Sequence, residues 1–258
     1  MRKMKVKDLL LTVIFSITVV SCDSDKKKAA DSDLMETHEG TDSVGHKVGD
    51  AVAYAKIRID EPDYISEICK KNFSMWLSTV LEMEKSSDKD AVHSLASTFT
   101  HVVAARHENS LKEMQTVMEE YHVDEFFTTV NISKSYESDE FITYIFDEES
   151  YEGGPHGSHI NMGYTFKKSD LSLADLIKPE DVRKYRKAIT DRLSGVLNIA
   201  PSSLMETLFI EDDCKKEGLV PLPAGGAFLE DDSLVFQYQQ YEIVPYSYGL
   251  PCVKLPYK

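Results

Sequence analysis

From residue 51 onward the chain switches repeatedly between two hydrophobic periods. Ala53 to Ile59 (Ala-Tyr-Ala-Lys-Ile-Arg-Ile) alternates in the manner of a half-buried strand. Pro62, flanked by Glu61 and Asp63, reads as the first turn of a helix, with Ile65, Ile68, Trp76, Val80 and Leu81 roughly on one face. A second helix is expected from about Asp90, where Val92, Leu95, Ala96, Phe99, Val102 and Val103 recur at helical spacing. It pauses at Glu108-Asn109-Ser110 and resumes through Leu111, Met114, Val117, Met118 and Tyr121.

Period two then returns. Phe126 to Tyr136 and Phe141 to Phe146 are rich in β-branched and aromatic residues, and Ile160, Met162, Tyr164 and Phe166 alternate with Asn161, Gly163 and Thr165. A further helix opens at Pro179, with Val182, Tyr185, Ile189, Leu193 and Val196 on one face. Ser233 to Tyr241 and Cys252 to Leu255 read as two last strands. The pattern predicts an α+β fold: a largely antiparallel sheet with helices packed on one side. Residues 51–123 are expected to form a mainly helical N-terminal subdomain and 124–258 the sheet-bearing C-terminal domain.

The first 50 residues follow neither period. Arg2, Lys3, Lys5 and Lys7 precede the apolar run Leu9 to Val20, which is too short for a resident membrane span and stops at Ser21-Cys22. This is the arrangement of a lipoprotein signal peptide over 1–21, with Cys22 as the acylated (palmitate-bearing) residue. An ordinary signal peptide with a nearby cysteine is the plainer alternative. Residues 22–50, rich in Asp, Ser, Lys and Gly, carry too little apolar surface to repay ordering and read as a flexible tether. The expected address is export, then lipid anchoring to the cell envelope, at the outer membrane on its periplasmic face or at the cell surface.

The 258 residues, 42% of them hydrophobic, suffice for one sizeable core or two small adjoining ones. The net charge of −15 falls to near −18 once the +3 of residues 1–21 is removed. Such acidity argues against nucleic acid, whose phosphates require a basic face, and against adhesion to anionic lipid through protein charge. It favours a cationic partner, although it also serves simply to keep an exported protein soluble. If Cys22 carries lipid, Cys69, Cys214 and Cys252 remain. Cys69 lies in a helical stretch and reads as a small buried side chain, which leaves Cys214 with Cys252 as the candidate disulfide.

Tyr151-Glu-Gly-Gly-Pro-His-Gly157 is the most unusual local sequence in the folded part. Its glycines permit close backbone approach or positive φ, and Pro155 fixes one torsion between them. It is either a structural turn or a rigid loop presenting Tyr151, His156 and the backbone amides of Gly153, Gly154 and Gly157 to a partner. A second concentration lies at Tyr241, Pro245, Tyr246 and Tyr248, either the rim of a sheet or a recognition surface, for which tyrosine is suited. His156 and His159 lack companions for a metal set, and His93, His101 and His107 read as helix-surface or boundary residues. The pairs Glu148-Glu149, Asp212-Asp213 and Asp231-Asp232 read as solvated, being unremarkable among 44 acidic residues. No nucleophile elbow or penicillin-recognising motif is present, and no cofactor is expected.

Taken together, Tyr151-Glu-Gly-Gly-Pro-His-Gly157 with Leu171-Ser-Leu-Ala-Asp-Leu-Ile177, then Gly218-Leu-Val-Pro-Leu222 to Phe228 with Tyr241-Glu-Ile-Val-Pro-Tyr-Ser-Tyr-Gly249, resemble the RsiV-type extracytoplasmic domain family over roughly residues 124–258. This chain has Pro155 where that family commonly has alanine. The family's best-understood member is a membrane-spanning anti-sigma factor whose outer domain binds lysozyme, and related domains accompany peptidoglycan deacetylases. The resemblance implies a non-catalytic binding or sensing module whose partner is a lysozyme-like protein or peptidoglycan. It implies no route to the cytoplasm through this chain. The alternatives are an accessory of an envelope hydrolase or deacetylase, centred on His156, and a structural surface lipoprotein.

Overall fold

Strand β1 (Thr37–Val48) pairs antiparallel with β2 (Ala51–Pro62) along its whole length, from Val48 opposite Ala51 to Thr37 opposite Pro62. The computed structural model to which they belong describes residues 34–84, 91–117 and 123–257. The expected signal peptide, Cys22 and the first part of the tether lie outside the described residues. The remainder of the expected tether is a correction, because Thr37–Val48 is a strand. Its side chains are mostly small and polar, so composition sees no core contribution. The strand is held through its backbone by β2, whose Ala53, Ala55, Ile57 and Ile59 are fully buried. Side chains of α2 (Ala91–Val117) also secure it: Thr100 Oγ1 donates to Asp42 Oδ2 at 2.6 Å and Gln115 Nε2 to the Val48 carbonyl at 3.1 Å. A polar strand at a sheet edge also discourages unwanted pairing.

The five-stranded sheet runs β1-β2-β3-β4-β5, with β3 at Glu125–Glu137, β4 at Phe141–Tyr151 and β5 at Ser158–Lys167. All its pairings are antiparallel except β2 with β3. That parallel pairing spans the boundary expected between residues 123 and 124. Residues from Leu34 on therefore form one compact unit rather than a helical subdomain followed by a sheet.

Helices α1 (Glu67–Val80) and α2 occupy the crossover between β2 and β3 and pack on one face of the sheet. Helix α1 starts later than Pro62, which is the last residue of β2; Ser66 is its N-cap and accepts from the Cys69 amide at 3.3 Å. Its buried face is Cys69, Phe73, Trp76 and Leu77, whereas Ile65 and Ile68 are exposed. Helix α2 passes unbroken through Glu108-Asn109-Ser110, and its Val102 is exposed.

A second, antiparallel sheet of β6 (Phe228–Glu230), β7 (Ser233–Gln237) and β8 (Cys252–Pro256) packs with α3 (Val182–Leu197) around Ile189, Leu193, Leu234, Phe236, Val253 and Leu255. It meets the opposite face of the large sheet where Phe228 covers Gly163 and the Leu229 amide donates to Thr165 Oγ1 at 2.9 Å. Strand β7 ends at Gln237 rather than Tyr241: the Tyr238 amide still bonds the Pro251 carbonyl at 2.9 Å, but Pro251 has no N–H to carry the ladder further, and Tyr241 adopts φ 63°. Two short helices, α4 (Leu204–Thr207) and α5 (Asp212–Glu217), lie between the third helix and the second sheet in the chain.

The expected Cys214–Cys252 disulfide is also corrected: both thiols are free, as is that of Cys69. Cys214 in α5 has its Sγ beside Arg186 Nη2, at 3.4 Å. Cys252 begins β8 opposite Gln237, where burial pushes its thiol pKa up.

Candidate functional site

The two segments singled out by sequence are brought together. Tyr151 ends β4, and its hydroxyl donates to the Gly154 carbonyl at 3.0 Å, closing the loop on itself. Three positions in that loop demand glycine, Gly154 among them at φ 96°. Gly153 sits at φ 86° with Met114 Cε and Phe126 Cζ only 3.1 and 3.3 Å from where a Cβ would lie. At Gly157 a Cβ would meet the Ser150 carbonyl oxygen at 2.8 Å.

The loop delivers His156 onto the tyrosine turn. Its ring stacks on Tyr246 with centroids 3.8 Å apart and planes 17° from parallel, and Tyr241 lies 5.9 Å from Tyr246. His156 Nδ1 is 2.9 Å from the Gly157 carbonyl, which can only accept, so Nδ1 carries the proton. In the neutral ring Nε2 is then free to accept from the Tyr241 hydroxyl, 3.2 Å away. Pro245 leads into a short 3-10 turn, Tyr246–Tyr248, which places Tyr246 against the His156 ring. Tyr248 is exposed and makes no ring contact with the cluster among the described residues.

The approach of the two segments is enforced by glutamines that sequence reasoning did not single out. Gln239 Oε1 accepts from the Asn161 amide at 3.0 Å while its Nε2 donates to the Asn161 carbonyl at 2.8 Å, so one side chain mimics a neighbouring strand along the edge of β5. Gln240 Oε1 takes the His159 amide at 3.1 Å. Glu242 braces the turn, accepting from the Gln239 and Ala224 amides at 2.7 Å each. Beside them Asp147 Oδ2 contacts both His159 Nε2 at 2.9 Å and Asn161 Nδ2 at 2.6 Å. The adjacency of Gln239-Gln240 to Tyr241 was the available sequence signal.

Two further residues depart from expectation. His107, expected at the helix surface or its boundary, is fully buried. The stripe Val103, His107, Leu111 at intervals of four runs straight through it, so the helical period itself carried the signal. Glu148, expected to be solvated, is partly buried on β4, which pushes its carboxyl pKa up.

The cluster offers three aromatic rings, two phenols and an imidazole, on a braced surface. It sets no serine, cysteine or threonine beside His156 among the contacts of the described residues, and no group of three or more metal-ligating side chains occurs among the described residues. Such a surface recognises by contact area and hydrogen bonding. A separate open hollow of about 420 Å³ lies between α1 and β5, lined by Trp76, Tyr164, Phe166, Leu171 and Leu173 among others. No helix among the described residues is long and apolar enough to cross a membrane.

Comparison with known proteins bears on the second half of the chain and on the fold. No curated protein matches. A crystal structure of a DUF3298 family member from Bacteroides fragilis NCTC 9343 superposes with a TM-score of 0.65 at 13% identity, covering 86% of this chain and 91% of its own. A DUF3298 family protein from Pseudomonas aeruginosa PAO1 does so with a TM-score of 0.58 at 12% identity, covering 87% and 92%. These likenesses establish a shared fold. Residues 174–258, which hold the tyrosine turn but not the Gly-rich loop, match the family described as "Protein of unknown function (DUF3298)".

Proposed function

We propose that this chain is an exported, lipid-anchored envelope protein that binds a macromolecular ligand at the loop and tyrosine cluster and carries out no chemistry there. The observation behind the reading is the stack of His156 on Tyr246 beneath the Tyr241 hydroxyl. It joins segments 85 residues apart into one rigid aromatic surface, and rigid aromatic surface is what concentrates binding energy at interfaces. The RsiV-type resemblance of both segments and the strong acidity of the chain make a cationic, lysozyme-like protein the partner of choice, with peptidoglycan as the other candidate. Cys22 supplies the anchor in this reading.

The test is binding of lysozyme-type proteins and of soluble peptidoglycan fragments to the mature chain at several salt concentrations. Saturable binding of the cationic protein that weakens with salt is expected. Tyr246→Ala should weaken it about tenfold or more, as for a central aromatic contact, while the urea midpoint stays near wild type. Binding no stronger than that of an unrelated acidic lipoprotein would sink the lysozyme reading, and binding of the fragments alone would assign the site to the cell wall. The anchor is tested separately: a Cys22→Ser protein should leave the membrane fraction.

A further inference from the structure

The base of the Gly-rich loop is tied to α2 at a buried histidine. His107 Nε2 lies 2.9 Å from Thr128 Oγ1 on β3. Its Nδ1, which has no hydrogen-bond partner, lies 3.4 Å from Glu152 Oε1. Glu152 immediately precedes Gly153 and is about half exposed; Arg106 Nη2 holds the same oxygen at 3.1 Å. One carboxylate oxygen therefore faces a permanent cation on its outer side and a titratable ring on its inner side.

We infer that Glu152 is a positioning residue for the loop that carries His156, and that His107 makes its hold on that loop pH-dependent. In the protonated ring both nitrogens are donors, Nε2 to Thr128 and Nδ1, charge-assisted, to Glu152, which draws the base of the loop inward. The inference deepens the proposed binding site, since this loop brings His156 to Tyr246.

The surroundings set the direction of the response. The charged groups facing His107 are Glu152 from the loop and Arg106 from its own helix, while β3 contributes the uncharged Thr128. On β4, Glu148 faces Arg106 and Glu152 and is pushed toward its neutral form by burial. One residue along the helix, Glu108 is engaged by Lys112 and by His46 of β1. Burial lowers the His107 pKa below the ordinary 6.5, Glu152 opposes that, and Arg106 adds to it. The ring is thus neutral at neutral pH. Because its folded pKa is depressed, its contribution to stability is present above 6.5 and is lost as pH falls below that value toward the folded pKa.

The test follows histidine ring and glycine amide NMR signals of the mature chain, without ligand, across the histidine titration range. The His107 ring and the Gly153 amide should share one midpoint below 6.5. Glu152→Gln should move the His107 midpoint further down and uncouple Gly153 from it, and Arg106→Gln should move it up. Both substituted side chains are about half exposed or more, so the fold should tolerate the changes. A purely structural contact would not produce opposite shifts. The inference is overturned if the Gly153 amide ignores the His107 midpoint, or if both variants leave that midpoint unchanged. A failure of ligand binding leaves this result untouched, because no ligand is present.

Discussion

Gly163→Ala is expected to lower the stability of the fold by about 3 kcal/mol, the upper end of what overpacking a filled site costs. A Cβ at this position would lie 2.1 to 2.4 Å from three ring carbons of Phe228. Neither partner has room to yield. Gly163 is paired to Ile145 within β4 and β5, while Phe228 is buried and its neighbour Leu229 is bonded to Thr165. The contact lies where the two sheets meet, so a shift there displaces one sheet against the other. Urea denaturation provides the measurement, with Gly195→Ala as the comparison. Gly195 lies within α3 with nothing near its missing Cβ, and alanine there should stabilise by up to about 1 kcal/mol. A Gly163→Ala midpoint within error of wild type would show that the sheets are not locked at Phe228.

The second large effect belongs to Glu137. Its carboxylate is nearly buried and takes ion pairs from Lys134 and Lys168 and a hydrogen bond from the Met35 amide at 2.8 Å. Desolvation pushes this carboxyl up, but Lys168, the Met35 amide and Lys134 together outweigh it and hold it below the ordinary glutamate value. Glu137→Ala takes the carboxylate away from two part-buried ammonium groups and from the Met35 amide, with Lys134 keeping its bond to the Met35 carbonyl at 2.7 Å, and should cost about 2–4 kcal/mol. The sign of the pH dependence follows from the depressed pKa. The stabilisation is fully present above the unfolded value near 4.5 and is lost as pH falls through the folded one. Wild type should therefore lose more stability than Glu137→Ala on acidification below 4.5, and equal losses in the two proteins would refute the assignment.

Much of the fold was legible because its strands and helices carry strong periods. Phe126 to Tyr136 and Phe141 to Phe146 lie within β3 and β4, and the helix opening at Pro179 leads into α3. What escaped notice depends on partners distant in the chain. Strand β1 has no apolar stripe of its own and exists because β2 offers it a hydrogen-bonding edge. Leu234, Phe236 and Tyr238 alternate as in a longer strand, yet Pro251 opposite Tyr238 has no N–H to carry the ladder on, and positive φ turns Tyr241. At the site, the glycines and tyrosines were visible as compositional oddities. Their juxtaposition was not, because it rests on Gln239 and Gln240 reaching the edge of β5.

The parallel pairing of β2 with β3 has a consequence for how the molecule assembles. The β1–β2 hairpin and the β3–β4–β5 meander each close through short connections and can form early. Their junction cannot, since everything between Pro62 and Glu125, both helices included, must be gathered before β2 meets β3. Joining them carries the entropy of a long loop, so it should limit the folding rate. Until it closes, β2 and β3 each expose an unpaired apolar strand edge. The interval before this junction forms is when the protein is most open to aggregation and to the proteases around it.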